Sequence, residues 1–192
     1  MKFRILVILA LIAATIFYTV YQSGRLESQL VSDSAQTPIL KTLPDTFFTD
    51  LKGEKFSLAE FYQKEKVELV FVHFWGTWCG PCEAELPELL HFIKTFENTP
   101  QIKFLLVAVN DEARLVEKKM RALPVPQMTN LYWLLDNTAS HRDEFGTTRV
   151  PETFVFSSDK TTMRKFLGPQ EWNKPMFLQI IRELHQSSTH RL

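Results

Sequence analysis

The sequence predicts an α/β domain in which a mixed central sheet is flanked by helices on both faces. Three observations carry that expectation. Two runs, Glu68–Trp75 and Ile102–Val109, are apolar on both faces, as strands covered by helices on each side must be. Between them, from about Pro81 to Glu97, apolar residues recur at three-to-four spacing, the period of a helix with one buried face. Near the C-terminus, two β-rich runs, Glu152–Phe156 and Thr162–Leu167, are separated by Ser157-Ser158-Asp159-Lys160, which reads as an antiparallel hairpin.

The chain has 192 residues, enough for one domain with extensions, and a 45% hydrophobic fraction that supports a packed core. Lys plus Arg and Asp plus Glu are both 22, with no block of like charge, so nothing points to nucleic acid as a partner. The first segment reads as a membrane anchor. Lys2 and Arg4 precede the charge-free run Ile5–Val20, slightly short of the ~20 residues a spanning helix uses. Phe3 and Tyr21 extend it, and the Lys2 and Arg4 stems can snorkel. A cleaved signal peptide is the rival reading, but no small-x-small site follows Thr19-Val20-Tyr21-Gln22. Basic residues before the helix keep the N-terminus cytoplasmic, so the chain after Gln22 is expected on the far side of the membrane, in an extracytoplasmic, oxidising compartment. The expected organisation is an anchor over 1–22, a polar linker over 23–37, a folded domain over 38–187 and a tail over 188–192.

Within the domain, Pro38 and Pro44 mark entry into folded structure, and Asp45–Leu58 reads as an N-terminal hairpin about Lys52-Gly53-Glu54. A short helix, Ala59–Lys64, leads to the first central strand. The long helix after it turns Leu86, Leu89, Leu90, Ile93 and Phe96 to one side; Pro81 suits its first position, and Pro87 inside it predicts a kink. Asp111 is expected to cap a helix running to about Leu123, ended by Pro124 and Pro126. Strand–helix–strand order implies a right-handed crossover between parallel strands. Leu131–Leu135 reads as a short strand, Ser140–Phe145 as a short helix, and Trp172–His185 as a closing helix with Phe177, Leu178, Ile181 and Leu184 inward. The main order is ββ-α-β-α-β-α-β-β-α.

Chemistry concentrates in Val67–Pro87. Cys79 and Cys82 are the only cysteines, three apart, where the first central strand gives way to a helix. A lone pair cannot build a disulfide framework, so it is there for its reactivity. A sulfur at a helix N-terminus meets unpaired N–H groups and the positive end of the dipole, which favour a thiolate and can lower a cysteine pKa to ~3.5–7.5. Cys82, one turn on, can close back onto it as a two-electron switch. Half a zinc site, completed by His185 and His190, is the alternative; a long apolar strand before the pair and the hundred-residue gap to His190 speak against it.

The segment Phe74-Trp75-Gly76-Thr77-Trp78-Cys79-Gly80-Pro81-Cys82 resembles the active-site segment of the thioredoxin fold. Continued through Glu83-Ala84-Glu85-Leu86-Pro87, it is similar to membrane-anchored thiol-disulfide oxidoreductases of the TlpA/ResA type. The LKGEKFSLAEF lead-in, the helix insert after Asn110-Asp111 and Val150-Pro151-Glu152-Thr153-Phe154 extend the likeness over about Pro38–His185. The Pro-Glu-Thr-Phe run and Leu167-Gly168…Trp172 are also similar to the CcmG/DsbE branch, which acts in cytochrome c maturation, although Gly80-Pro81 matches general thioredoxin instead.

The resemblance implies that Cys79 attacks at the exposed helix tip, Cys82 resolves, and no cofactor is needed. It implies that Glu85 helps set the thiol pKa values and moves protons, against the plain alternative of a solvated glutamate such as Glu83 and Glu88. Pro151 matches a cis-proline opposite the cysteines, where Val150 offers backbone groups to a substrate strand. Trp78, Gly80, Pro81 and Val150 then line the substrate groove, with Glu152 beside it as a specificity charge or as an ordinary surface residue. His73 departs from the pattern, standing where thioredoxins have aspartate and TlpA/ResA relatives asparagine. It is either a proton relay beneath Cys82 or a neutral, hydrogen-bonded core histidine. The Gly-Pro pair implies a reductant, since thioredoxin lies at about −270 mV against about −120 mV for DsbA. Its implied partners are disulfide-bearing clients, apocytochrome c among them, and a membrane electron donor of the DsbD/CcdA kind. A disulfide oxidase or isomerase, or a copper metallochaperone, is the alternative.

Overall fold

The computed structural model describes residues 14, 15, 18, 40–123, 128–138 and 144–189. The chain divides into two units, Met1–Pro38 and Ile39–Leu192. In the first, Ala14, Thr15 and Tyr18 are helical, and the expected anchor otherwise lies outside the described residues, as does the expected linker. Among the described residues no helix is long and apolar enough to cross a membrane.

The second unit is built on one seven-stranded sheet in the order β2-β1-β5-β4-β3-β6-β7. β1 (Phe47–Asp50) and β2 (Lys55–Ser57) form the expected hairpin. Its turn is held by the Asp50 carboxylate, which accepts from the N–H groups of Lys52 and Glu54, both at 2.8 Å. Gly53 takes φ +88° there, a left-handed conformation that side chains resist. Ser57 ends β2 and caps α1 (Leu58–Lys64) by accepting from the Glu60 N–H.

β3 (Leu69–Trp75) is buried along its whole length, between β4 (Ile102–Val109) in parallel and β6 (Glu152–Ser157) antiparallel. β5 (Leu131–Asp136) runs parallel to β4 and pairs with β1, so the hairpin extends the sheet on that side. β7 (Thr162–Leu167) closes the other edge against β6. α2 (Gly80–Lys94), α3 (Ala113–Ala122) and α4 (Pro175–Thr189) contribute to the core on one face of the sheet, with Phe71, Leu86, Ile93, Val116, Trp172 and Ile181. α1 contributes to the core on the other, with Val70, Val72, Phe74, Phe145, Phe154 and Phe156. Residues of β3 alternate between these two cores, which places His73 on the α2 side.

Three expectations need correction. Asp111 does not cap α3; Glu112 stands at the cap position with no side-chain bond to the helix N–H groups, and the Asp111 carboxylate is engaged with Thr77. Trp172 precedes the last helix, which begins at Pro175, because its indole is needed in the core beside α2. Pro81 is the second helical residue rather than the first, since Cys79 itself caps α2 and Gly80 opens it. The proline stop at Pro124 and Pro126 and most of the expected helix Ser140–Phe145 lie outside the described residues.

Candidate active site

At the C-terminal end of β3 the chain makes a tight connection into α2, and both cysteines sit on it. They are joined in a disulfide with Cα atoms 5.3 Å apart. Cys79 is the N-cap: its sulfur accepts the Cys82 N–H at 3.3 Å, where the helix has no carbonyl to offer. That N–H donor and the positive end of the α2 dipole both stabilise negative charge on this sulfur. Cys79 is 7% exposed and Cys82 1%. The expected order of accessibility holds, but Cys79 is no open tip, since the Val150 carbonyl oxygen lies 3.9 Å from its sulfur.

The loop before the pair is clamped to the end of β4. The Asp111 carboxylate accepts from the Thr77 N–H at 2.6 Å and the Thr77 hydroxyl at 2.9 Å. The Trp78 indole N–H donates to the Val109 carbonyl at 2.9 Å, while the ring remains 58% exposed beside the disulfide. Gly76 makes room for this indole, because a Cβ there would stand 2.7 Å from its Nε1. Asp111 is a site residue that sequence reasoning assigned to another task; only the distant Thr77 hydroxyl and amide could have revealed it.

Val150 and Pro151 face the cysteines from the segment leading into β6, and the Val150–Pro151 peptide bond is cis. Gly80 and Pro81 are exposed at the start of α2, and Val150 is half-buried, so Trp78, Gly80, Pro81 and Val150 edge one accessible surface around the disulfide. Glu152 does not belong to that surface. It is 1% exposed, on the sheet face opposite α2, and bound at 3.0 Å by Lys165. The expected groove charge is thus a buried ion pair, because strand alternation turns position 152 inward with Phe154 and Phe156.

Behind the disulfide lies a polar cluster that helix spacing only hinted at. Glu85, one turn beyond Cys82 on the same helix face, is 5% exposed. Its Oε2 accepts from the Gln170 N–H at 2.8 Å and the Trp172 indole N–H at 3.1 Å. Burial pushes its carboxyl up to about 7; the two donors oppose that rise and the nearby Glu88 adds to it. His73 is 2% exposed, with Nδ1 2.8 Å from Thr153 Oγ1 and Nε2 3.6 Å from Glu85 Oε1. Burial lowers its pKa to about 3, so the imidazole is neutral at pH 7 and the contact with Glu85 is not an ion pair. Glu83 and Glu88 sit nearer the surface, where Lys119 and Asn173 bind them. His185 pairs with Glu68, away from the cysteines, and His190 lies outside the described residues.

A disulfide on a helix cap, a cis-proline segment facing it and a buried acid behind it can together run thiol–disulfide exchange. The redoxin family profile matches residues 40–181. The chain belongs to the redoxin family. It is similar to thiol-disulfide oxidoreductase ResA of Geobacillus kaustophilus, 35% identical over 58% of this chain and 58% of that one. The likeness to ResA of Bacillus thuringiensis, at 27% identity, runs over 88% of each chain. Among solved structures, a thiol:disulfide interchange protein of the thioredoxin family from Chlorobium tepidum superimposes with a TM-score of 0.59 at 22% identity. That match covers 76% of this chain and 96% of the other, and the redoxin domain has the thioredoxin-like fold.

Proposed function

We propose that this protein is a thiol–disulfide oxidoreductase working as a protein-disulfide reductant outside the cytoplasm, tethered to the bacterial inner membrane by residues 1–22. The observation that carries this reading is the Cys79–Cys82 disulfide on the α2 cap, facing the cis Val150–Pro151 segment. The ResA relatives, named thiol-disulfide oxidoreductases, support it. So does the Gly80-Pro81 pair, which favours the reducing direction.

In the reduced protein the Cys79 thiolate attacks a client disulfide. One client sulfur leaves as a thiolate and takes up a proton, and a mixed disulfide joins Cys79 to the other. Glu85 as carboxylate accepts the Cys82 proton, and the Cys82 thiolate attacks the Cys79 sulfur. The second client sulfur leaves, so the client gains two electrons and the Cys79–Cys82 disulfide of this structure re-forms. Val150 and Pro151 supply the backbone against which a client strand lies, while Trp78, Gly80 and Pro81 border it. A membrane dithiol donor of the DsbD/CcdA kind restores the thiols, and the linker over 23–37 holds the domain over 38–187 close to it. Clients are extracytoplasmic disulfide proteins, with apocytochrome c foremost.

The decisive test is a Cys82→Ala variant expressed in bacterial cells. Covalent adducts on Cys79 that dissolve in dithiothreitol, with c-type cytochromes among the captured proteins, are the expected outcome. A variant that captures nothing, from a wild type that fails to reduce insulin, sinks the reading.

A further inference from the structure

We propose that His73 is a positioning residue for the proton that Glu85 carries: the protonated carboxyl bears its hydrogen on Oε1 and donates it to the neutral Nε2 of His73. The inference rests on Glu85 as acceptor of the Cys82 proton and goes on to say where that proton is kept. The two carboxyl oxygens differ in kind. Oε2 already accepts from the Gln170 and Trp172 N–H groups, so a hydrogen placed on it would stand against two donors. Oε1 is buried and has no hydrogen-bond partner, and the same holds for His73 Nε2. These two atoms lie 3.6 Å apart, in a region where both side chains are 3% exposed.

An acid hydrogen on Oε1 needs an acceptor, and an imidazole with its hydrogen on Nδ1 presents one. Thr153 Oγ1, 2.8 Å from Nδ1, can accept that other hydrogen, so the proposed tautomer leaves both ring nitrogens paired. The present separation is longer than a hydrogen bond; a shift of about 0.7 Å brings it to the usual ~2.9 Å. Around the pair, β4 and β6 place Leu106 and Thr153 in register with His73, and the segment before α4 contributes Gln170 and Trp172. None of these titrates, and Glu88 on α2 is the charged group whose field reaches Glu85. During client reduction the Cys82 thiol passes its proton to the Glu85 carboxylate, and the sulfur's electron pair goes into the bond to Cys79. When a dithiol donor opens the disulfide, the proton returns from Oε1 to Cys82. The imidazole gains no net proton at any stage.

The test is a pH titration of the oxidised full-length protein in detergent, following the Glu85 carboxyl carbon and the His73 ring nitrogens by NMR. Expected are a His73 ring hydrogen on Nδ1 alone from pH 5 to 9, and an Nε2 resonance that moves with the Glu85 titration. His73→Asn, whose amide can donate to Oε1 and so favours the carboxylate, is expected to lower the Glu85 midpoint by about one pH unit, a tenfold change. An unmoved or raised midpoint, or a doubly protonated imidazole in the wild type, overturns the proposal. Insulin reduction by the wild type separates the two claims. Normal reduction with uncoupled titrations refutes the His73 role alone, while coupled titrations without reduction leave it standing and refute the redox reading beneath it.

Discussion

Glu85→Gln isolates what it takes to keep an ionisable group behind the disulfide. The glutamine is nearly isosteric, its carbonyl can still accept from Gln170 and Trp172, and its amide can donate toward His73. What it removes is the charge. The Glu85 pKa rises from an ordinary 4.5 to about 7 in the folded protein, chiefly through burial. The native state therefore holds this proton more tightly than the unfolded chain. Its contribution to stability is complete below about pH 4.5 and is lost as pH climbs through 7. That displacement corresponds to about 3 kcal/mol. The two proteins should melt alike at pH 4.5, whereas at pH 8.5 the variant should be the more stable by about 3 kcal/mol, or roughly 6–12 °C for a domain of this size. Thermal melts of the oxidised full-length proteins in detergent measure this, with the disulfide intact so that no thiol titrates. A difference that stays constant with pH, or one that opens at low pH instead, would refute the assignment of a buried, proton-holding carboxyl.

Two further substitutions probe how the site is supported. Gly76→Ala should force the Trp78 indole off the Val109 carbonyl, at a cost of about 1–3 kcal/mol; a red-shifted tryptophan emission together with slower insulin reduction is expected, and unchanged emission would contradict the packing described. Lys165→Met should strand the buried Glu152 carboxylate and destabilise by about 3–5 kcal/mol in urea melts, with much of that recovered in Lys165→Met/Glu152→Gln; a single variant as stable as the double would show that the pair carries no such penalty.

Local rules made most of the fold legible. Strand β4 has the bounds its apolar run predicts, β7 has the bounds of its β-rich run, and the stripe from Leu86 to Ile93 is buried as helical spacing requires. Three of the misplaced features share one cause, a side chain whose partner lies outside its own element. Asp111 looked like a helix cap because Asn-Asp before a helical pattern fits that role, yet its acceptors serve Thr77, on the connection from β3 to α2. Trp172 was expected to open the closing helix, yet its indole is committed to Glu85 and the helix begins at Pro175. Glu152 looked like a groove charge because it follows Pro151, and the inward turn of β6 together with Lys165 made it part of the interior.

The sequence by itself determined the reactive centre: two cysteines three apart at a strand-to-helix junction, the helix cap that favours a thiolate, and the long apolar strands that carry it. Those features depend on neighbours within a turn or two, where spacing and residue type are enough. Only the tertiary structure decided the surroundings of Glu85 and His73. Glu85 takes its partners from Gln170 and Trp172, and His73 takes Thr153, across most of the length of the domain. Whether a carboxyl or an imidazole is charged depends on how much water and which donors the whole fold leaves around it, and no local pattern of residues encodes that environment.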